Sequence, residues 1–187
     1  YPADRRGESR LLVLDRASGA IADSHISQFP RFLEPGSLLV VNNSKVRKAR
    51  VYAQSETGST VEFLFLNDLG EGRWSAMVSK SKRQRPGKRY RFASNDGSMM
   101  REATITDEDE EGKIVCFDTP IDETFFTACG HIPLPPDIKR EDMGVDETRY
   151  QTVYAEKAGS VAAPTAGLHF TEAILREIDD LGITICP

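Results

Sequence analysis

The sequence predicts a mixed α/β fold, in which an α/β domain is interrupted by a small inserted antiparallel β-barrel. Three observations predict it. Short continuous apolar runs bounded by Gly, Pro and Asn open the chain. Residues 51–120 switch to two-residue alternation broken by frequent turn signals. A helical period with its own cap and glycine stop then returns near the end. The expected division is 1–50 with 121–187 as the α/β domain and 51–120 as the barrel.

Taken in order, Leu11-Leu12-Val13-Leu14 and Leu38-Leu39-Val40-Val41 suit strands covered on both faces. Ser18-Gly19 and Pro35-Gly36 mark turns between them. In the middle region Val61, Phe63 and Phe65 alternate with Glu62 and Leu64, and Trp74, Ala76 and Val78 with Ser75 and Met77. Ala103 and Ile105 keep that rhythm, and Ile114, Cys116 and Asp118 follow it less cleanly. Turn signals at Thr57-Gly58, 69–72, Pro86-Gly87, 95–97 and Glu111-Gly112 separate the segments, as in an antiparallel barrel or sandwich. The lack of any helical period there favours a barrel.

Asp122 is placed to cap a short helix through Phe125, Phe126 and Cys129, with Gly130 as its stop. Pro133-Leu134-Pro135-Pro136 forces extended chain. Thr171 suits an N-cap, with Ile174, Leu175, Ile178 and Leu181 on one face and Gly182 at C′. Ile183-Thr184-Ile185 reads as a strand after it.

Composition sets the class. Of 187 residues, 39% are hydrophobic and 28% charged, which is globular and not disordered. No apolar run approaches the ~20 residues of a membrane helix. Cys116, Cys129 and Cys186 show no C-x-x-C spacing and read as reduced core thiols, not as a disulfide framework or zinc site. The chain opens on Tyr1-Pro2-Ala3-Asp4 and stops as an apolar alternation begins, so it reads as part of a longer protein.

Charge is unevenly placed. The chain has 24 basic against 29 acidic residues, yet Lys80, Lys82, Arg83, Arg85, Lys88, Arg89 and Arg91 follow one another with no acid between them. Such a stripe suits a phosphate backbone, and Tyr90 or Phe92 would stack a base if exposed. A solvated hairpin explains the run equally well. A second basic cluster is Lys45, Arg47, Lys48 and Arg50; the acidic run 107–111 reads as a hairpin tip without a partner.

Residues 159–171 form the most unusual stretch, nearly all small up to Gly167 and leading into the Thr171 helix. Small side chains let backbone N–H groups approach a ligand, and a helix N-terminus favours anions. His169 stands beside it, in the residue class suited to proton transfer. Tight packing of the loop and a structural role for His169 are the plainer readings. No P-loop, G-x-G-x-x-G, G-x-S-x-G or metal-ligand spacing is present. Asn42 and Asn43, followed by Ser44 and Lys45, end a predicted strand where open α/β sheets bind ligands, or else form an Asx turn.

Ser9-Arg10-Leu11-Leu12-Val13-Leu14-Asp15-Arg16, Asn42-Asn43-Ser44-Lys45-Val46 with Ala49-Arg50, and Pro133-Leu134-Pro135-Pro136 match one family in order and spacing. So do Arg149-Tyr150-Gln151-Thr152-Val153-Tyr154-Ala155 and residues 159–171, the most specific block. The sequence resembles the S-adenosylmethionine:tRNA ribosyltransferase-isomerases of queuosine biosynthesis. Ser44 stands for a more usual Thr, Asp137 for an aromatic, and Ser79-Lys80 for a basic-Pro pair.

That resemblance implies an α/β domain interrupted by a barrel. It implies transfer and isomerisation of the ribosyl part of S-adenosylmethionine onto 7-aminomethyl-7-deazaguanine at the wobble position of tRNA, releasing adenine and methionine. A base would deprotonate C5′ beside the sulfonium, and the tRNA amine would attack later. S-adenosylmethionine is the expected cosubstrate, with no metal, in a cytoplasmic monomer without a membrane partner. Cosubstrate is expected at Asn42, Asn43, Lys45, Ala163, Pro164, Thr165, Gly167 and Thr171, with His169 moving a proton. Lys82, Arg83, Arg149, Tyr150 and Gln151 are expected to hold tRNA or a base. A non-catalytic RNA-binding module, or an inactive piece of the enzyme, is the rival reading.

Overall fold

The structure, a computed structural model, describes residues 5–94, 96–135, 138, 140 and 142–187; Asn95 of one predicted turn, Pro136 and Asp137 lie outside the described residues. The chain forms two compact units. One comprises Tyr1–Lys45, Thr148–Lys157 and Ala163–Pro187; the other comprises Val46–Glu147 and Ala158–Ala162.

The first unit begins with the antiparallel hairpin of β1 (Arg10–Leu14) and β2 (Ile21–His25), in register Leu14↔Ile21. Asp15 builds its turn, its carboxylate accepting from the N–H groups of Ala17 and Ser18 at 2.8 and 2.9 Å, and Gly19 takes the left-handed backbone (φ 72°) that closes it. A 3-10 helix, Ile26–Phe32, follows, then β3 (Leu38–Val40) and β4 (Ser44–Val46).

The second unit is built on β5 (Arg50–Ser55), β6 (Thr60–Gly70), β7 (Arg73–Val78), β8 (Arg89–Ala93), β9 (Met100–Glu108) and β10 (Lys113–Phe117). They pair in the order β5-β6-β7-β10-β9-β8, and β8 returns to β5 through Ala53↔Phe92. All pairs are antiparallel, so the sheet is a closed six-stranded barrel and its strands leave no free edge in the ring. Alternation dictates which side faces in: Val61, Phe63, Phe65, Ala103 and Ile105 are buried, as expected.

Strand β10 corrects one expectation. Lys113, Val115 and Phe117 point inward and Ile114 and Cys116 are half-buried, the opposite phase to the one expected, because Ile114, Val115, Cys116 and Phe117 are all apolar and either phase fits the pattern. The register shift against β9 leaves Thr106 as the extra residue there. Lys113 is buried and pairs with Glu108, so the acidic tip is not without a partner.

Helix α1 (Glu123–Cys129) starts at Asp122, whose carboxylate accepts from the Thr124 N–H at 2.9 Å, and stops at Gly130. The Thr124 hydroxyl first, and that backbone bond second, hold the Asp122 carboxyl below its ordinary pKa. Phe125 and Phe126 enter the barrel core, their ring centres 6.3 and 5.8 Å from Phe65. This packing extends the barrel unit well past the expected 51–120. The short strand β11 (Gly130–His131) adds to β5 in register His131↔Arg50.

Next come the one-turn helix α2 (Asp146–Arg149) and β12 (Lys157–Ser160). Helix α3 (Glu172–Asp180) then completes the first unit. Thr171 caps it, accepting from the Ile174 N–H at 3.2 Å, and Gly182 (φ 73°) lies just beyond it. Ile174 and Ile178 are buried with Ile183 over Phe29, Leu33 and Leu39, but Leu181 is exposed. Strand β13 (Thr184–Cys186) pairs in parallel with β3, so the strand after this helix is as expected.

The expected burial of the opening runs on both faces does not hold. Leu12, Leu14, Leu38 and Val40 are 63%, 55%, 60% and 70% exposed. Their sheets have two strands each, and the packed isoleucines cover one side of β3–β13 through Leu39 and Ile185. Cys129 is buried, but Cys186 is exposed and so is no core thiol.

Candidate functional site

In the first unit a side chain absent from the sequence expectations, Arg6, organises the Arg149-Tyr150-Gln151 block. One guanidinium nitrogen donates to the carbonyls of Thr148, Arg149 and Gln151 at 2.9, 3.3 and 2.7 Å. The other terminal nitrogen is buried and has no hydrogen-bond partner among the described residues. Burial first, and the nearby Arg149 charge second, lower the Arg6 pKa from its ordinary value. A guanidinium in that state favours an anion. No sequence signal marked it, because its partners lie more than 140 residues away.

Gly7 and Arg6 connect this block to Thr171. Gly7 takes a left-handed backbone (φ 86°) beside the start of α3, where a Cβ would only touch Thr171 Cγ2 at an ordinary 3.6 Å. A cavity of about 530 Å³ opens there, lined by Arg6, Gly7, His25, Ser27, Thr171 and Ile174 among others. Its size is that of a small-molecule site. The structure thus brings Thr171 and the Arg6-held block to one unit.

The small-residue loop is arranged differently from the open amide cradle expected. Gly167 is buried, its N–H donates to Pro164 O at 2.8 Å, and a Cβ there would run into the Tyr154 hydroxyl and Thr152. Close packing within the unit therefore accounts for Gly167. Burial raises the Tyr154 pKa above its ordinary value. Ala163 and Pro164 are half-buried and Thr165 is exposed. His169 ends a 3-10 helix, Thr165–His169, and is half-buried.

Asn42 and Asn43 have assigned structural bonds. Asn42 Oδ1 accepts from the Ser44 N–H at 2.8 Å, which is the Asx turn. Asn43 donates to Glu156 at 3.4 Å, and its carbonyl accepts from the N–H groups of Glu156 and Lys157. Lys45 is exposed. Tyr150 is buried, which leaves its ring no open face for stacking.

In the barrel unit the seven-residue basic run divides in two. Arg89 pairs with Asp118 at 2.6 Å and Glu102 at 3.0 Å, and Arg91 with Glu102 at 3.3 Å. Lys80, Lys82, Arg83, Arg85 and Lys88 are exposed at the β7–β8 connection, with no carboxylate in ion-pair range among the described residues. Lys82 and Arg83 sit in a single 3-10 turn after Lys80, whose left-handed backbone (φ 53°) is uncommon outside glycine. A cavity of about 250 Å³ beside them is lined by Ser55, Thr60, Lys80, Arg83, Gln84 and Lys88 among others.

Tyr90 and Phe92 offer no stacking face. Both are buried, and the Tyr90 hydroxyl donates to Gln84 Oε1 at 2.6 Å. The second basic cluster is largely neutralised: Arg47 pairs with Glu123, Lys48 with Glu147 and Arg50 with Glu62. Among the described residues no group of three His, Cys, Asp or Glu is placed to hold a metal ion, and no helix is long and apolar enough to cross a membrane.

Comparison with known proteins supplies what the geometry leaves unnamed. The family model of the queuosine biosynthesis proteins matches residues 1–187. An S-adenosylmethionine:tRNA ribosyltransferase-isomerase from Treponema denticola is 45% identical, over 98% of this chain and 54% of the relative. One of the same name from Syntrophomonas wolfei is 46% identical, over 99% and 52%. The chain thus spans about half the length of the curated relatives it matches. The crystal structure of an S-adenosylmethionine tRNA ribosyltransferase from Thermotoga maritima aligns at 25% identity with a TM-score of 0.41, over 99% of this chain and 51% of that one.

Proposed function

Because this chain belongs to the queuosine biosynthesis protein family, we propose that it carries substrate-binding and catalytic parts of an S-adenosylmethionine:tRNA ribosyltransferase-isomerase. The observation that carries this reading is the 45% identity over 98% of the chain to a relative of that name. The acceptor would be 7-aminomethyl-7-deazaguanine at the wobble position, and the products epoxyqueuosine-tRNA, adenine and methionine.

In this reading the cavity beside Arg6 takes the cosubstrate. Its methionine carboxylate meets the under-bonded Arg6 guanidinium and the positive N-terminal end of α3 at Thr171. The exposed Lys82 and Arg83 turn takes tRNA phosphates. The chemistry needs a base to remove a proton beside the sulfonium, where positive sulfur stabilises the carbanion, and an acid for the departing adenine. His169 is assigned one of these proton transfers.

The experiment is release of adenine from S-adenosylmethionine in the presence of tRNA bearing the aminomethyl base. Adenine release that depends on that tRNA is expected, and its loss in His169→Ala with tRNA affinity unchanged. Failure of the wild-type protein to release adenine would reject the enzymatic reading. A thermal midpoint raised by S-adenosylmethionine separates it from a pure RNA clamp, because a ligand of the native state must stabilise it.

A further inference from the structure

A second imidazole, His131, is held more firmly than any functional role assigned above requires. Its Nδ1 lies 2.8 Å from Asp142 Oδ1, and the other Asp142 oxygen accepts from the Ile132 N–H at 3.0 Å. Tyr52 meets the ring edge-on, 5.4 Å between centres, and the His131 backbone is paired to β5 at Arg50. The loop behind Asp142 is tied in turn: Arg140 makes a two-pronged bond to the buried Asp146, at 2.6 and 2.8 Å, and Asp146 accepts from the Met143 N–H at 2.7 Å.

These contacts select one tautomer. An ionised carboxylate only accepts, so Nδ1 carries the hydrogen and Nε2 keeps its lone pair. Nε2 has no hydrogen-bond partner among the described residues, and the side chain is 29% accessible. An imidazole oriented by a carboxylate at Nδ1 and open at Nε2 is built to accept a proton there. Among the described residues the charged groups on the elements around it include Asp142 itself, the Arg50–Glu62 and Lys48–Glu147 pairs, and the Arg140–Asp146 pair of the loop.

We propose that His131 is the general base for the amine of the RNA acceptor, with Asp142 as its positioning residue; this rests on the ribosyl-transfer reading. A primary ammonium has an ordinary pKa near 10 and carries no free electron pair. Its proton passes to Nε2, the electrons of the broken N–H bond stay on nitrogen as the attacking pair, and the imidazolium faces the Asp142 carboxylate until it gives the proton to water. Placement agrees. Arg50, paired with His131, and Ser55, beside the basic cavity, are five residues apart on β5, roughly 17 Å at the rise of a strand. About five stacked nucleotides of one strand cover that span, so RNA seated on the Lys82 turn reaches His131.

The variant that tests this is His131→Asn, whose amide keeps a donor for Asp142 and removes the outward nitrogen. Formation of ribosylated tRNA, which follows the amine's attack, is expected to fall at least about 100-fold, with KM for tRNA within about twofold, and added imidazole is expected to restore rate to His131→Gly. His131→Asn within about threefold of wild type would overturn the proposal. Nitrogen NMR of the ring reads the dyad without turnover: the Nδ1–H form is expected in wild type, lost in Asp142→Ala. An Nε2–H ring in wild type would also overturn it, whereas that Nδ1–H form in a wild type without turnover would reject the ribosyl-transfer reading and the general-base assignment with it.

Discussion

Phe65 in the barrel and Leu12 in the first unit are both apolar strand residues, yet Phe65 is fully buried and Leu12 is 63% exposed. The difference lies in closure. Six strands that return on themselves provide an inside, and α1 fills its remaining space with Phe125 and Phe126. The sheets β1–β2 and β3–β13 have two strands each, and only β3–β13 sends residues, Leu39 and Ile185, to the buried isoleucine cluster. Two-stranded pieces need a covering layer to be stable, and Ile174, Ile178 and Ile183 supply it to one face of β3–β13. The barrel is therefore expected to be the stability-determining unit, and the first unit the one whose surfaces tolerate change.

The largest effect should come from emptying the barrel. Phe65 touches the rings of Phe63, Trp74, Phe92, Phe117, Phe125 and Phe126. Phe65→Ala is expected to cost about 3–5 kcal/mol by transfer and cavity terms together, read as a lower denaturant midpoint for loss of Trp74 fluorescence. A cost under about 1 kcal/mol would erase the contrast between the units.

A smaller effect sharpens it from the other side, because the first unit has one tightly packed point. At Gly167 a methyl group would meet Tyr154 and Thr152. Gly167→Ala is expected to destabilise that unit by about 1–3 kcal/mol through overpacking, measured by amide exchange in α3. Unchanged exchange would mean that the loop yields freely, as an open ligand cradle would.

Next is charge. If the barrel combines a rigid core with an RNA-facing turn, Lys82→Glu with Arg83→Glu should leave its unfolding midpoint unchanged. tRNA should bind about tenfold more weakly at low salt, with a log–log salt slope shallower by roughly 1.5. An unchanged slope would place the RNA elsewhere. Arg89→Glu is a poor substitute for this test, since Arg89 already pairs with Asp118 and Glu102.

What was legible in the sequence follows the same division. Val61, Phe63 and Phe65 announce their inward side because a closed sheet converts alternation directly into burial. The phase of β10 is not legible, because Ile114, Val115, Cys116 and Phe117 are all apolar and only the closed barrel decides that Val115 and Phe117 face in. Asp122 and Thr171 were readable as caps, since capping is local chemistry. Leu12 and Val40 were not readable, because burial on a second face depends on what covers it. The candidate sites divide similarly. The exposed Lys82 and Arg83 turn shows in composition, whereas Arg6 and the His131–Asp142 pair draw their roles from partners that folding supplies.

The smallest expected effect is also the one that bears most directly on the contrast. Leu12 lies on β1 with Leu14, and Ile21 opposite Leu14 on β2, all more than half exposed. Burial of a leucine side chain contributes about 1.5–3 kcal/mol, but one already in water has little to lose. Leu12→Ser should therefore change stability by no more than about 0.5 kcal/mol, measured by denaturant unfolding of the chain. The polar residue also keeps β1 extended, since serine at a solvent-facing strand position meets no packing demand. A loss above about 1.5 kcal/mol would show this face to be covered in solution, and the first unit would then bury more of its strands than the barrel, whose strands bury only their inward side.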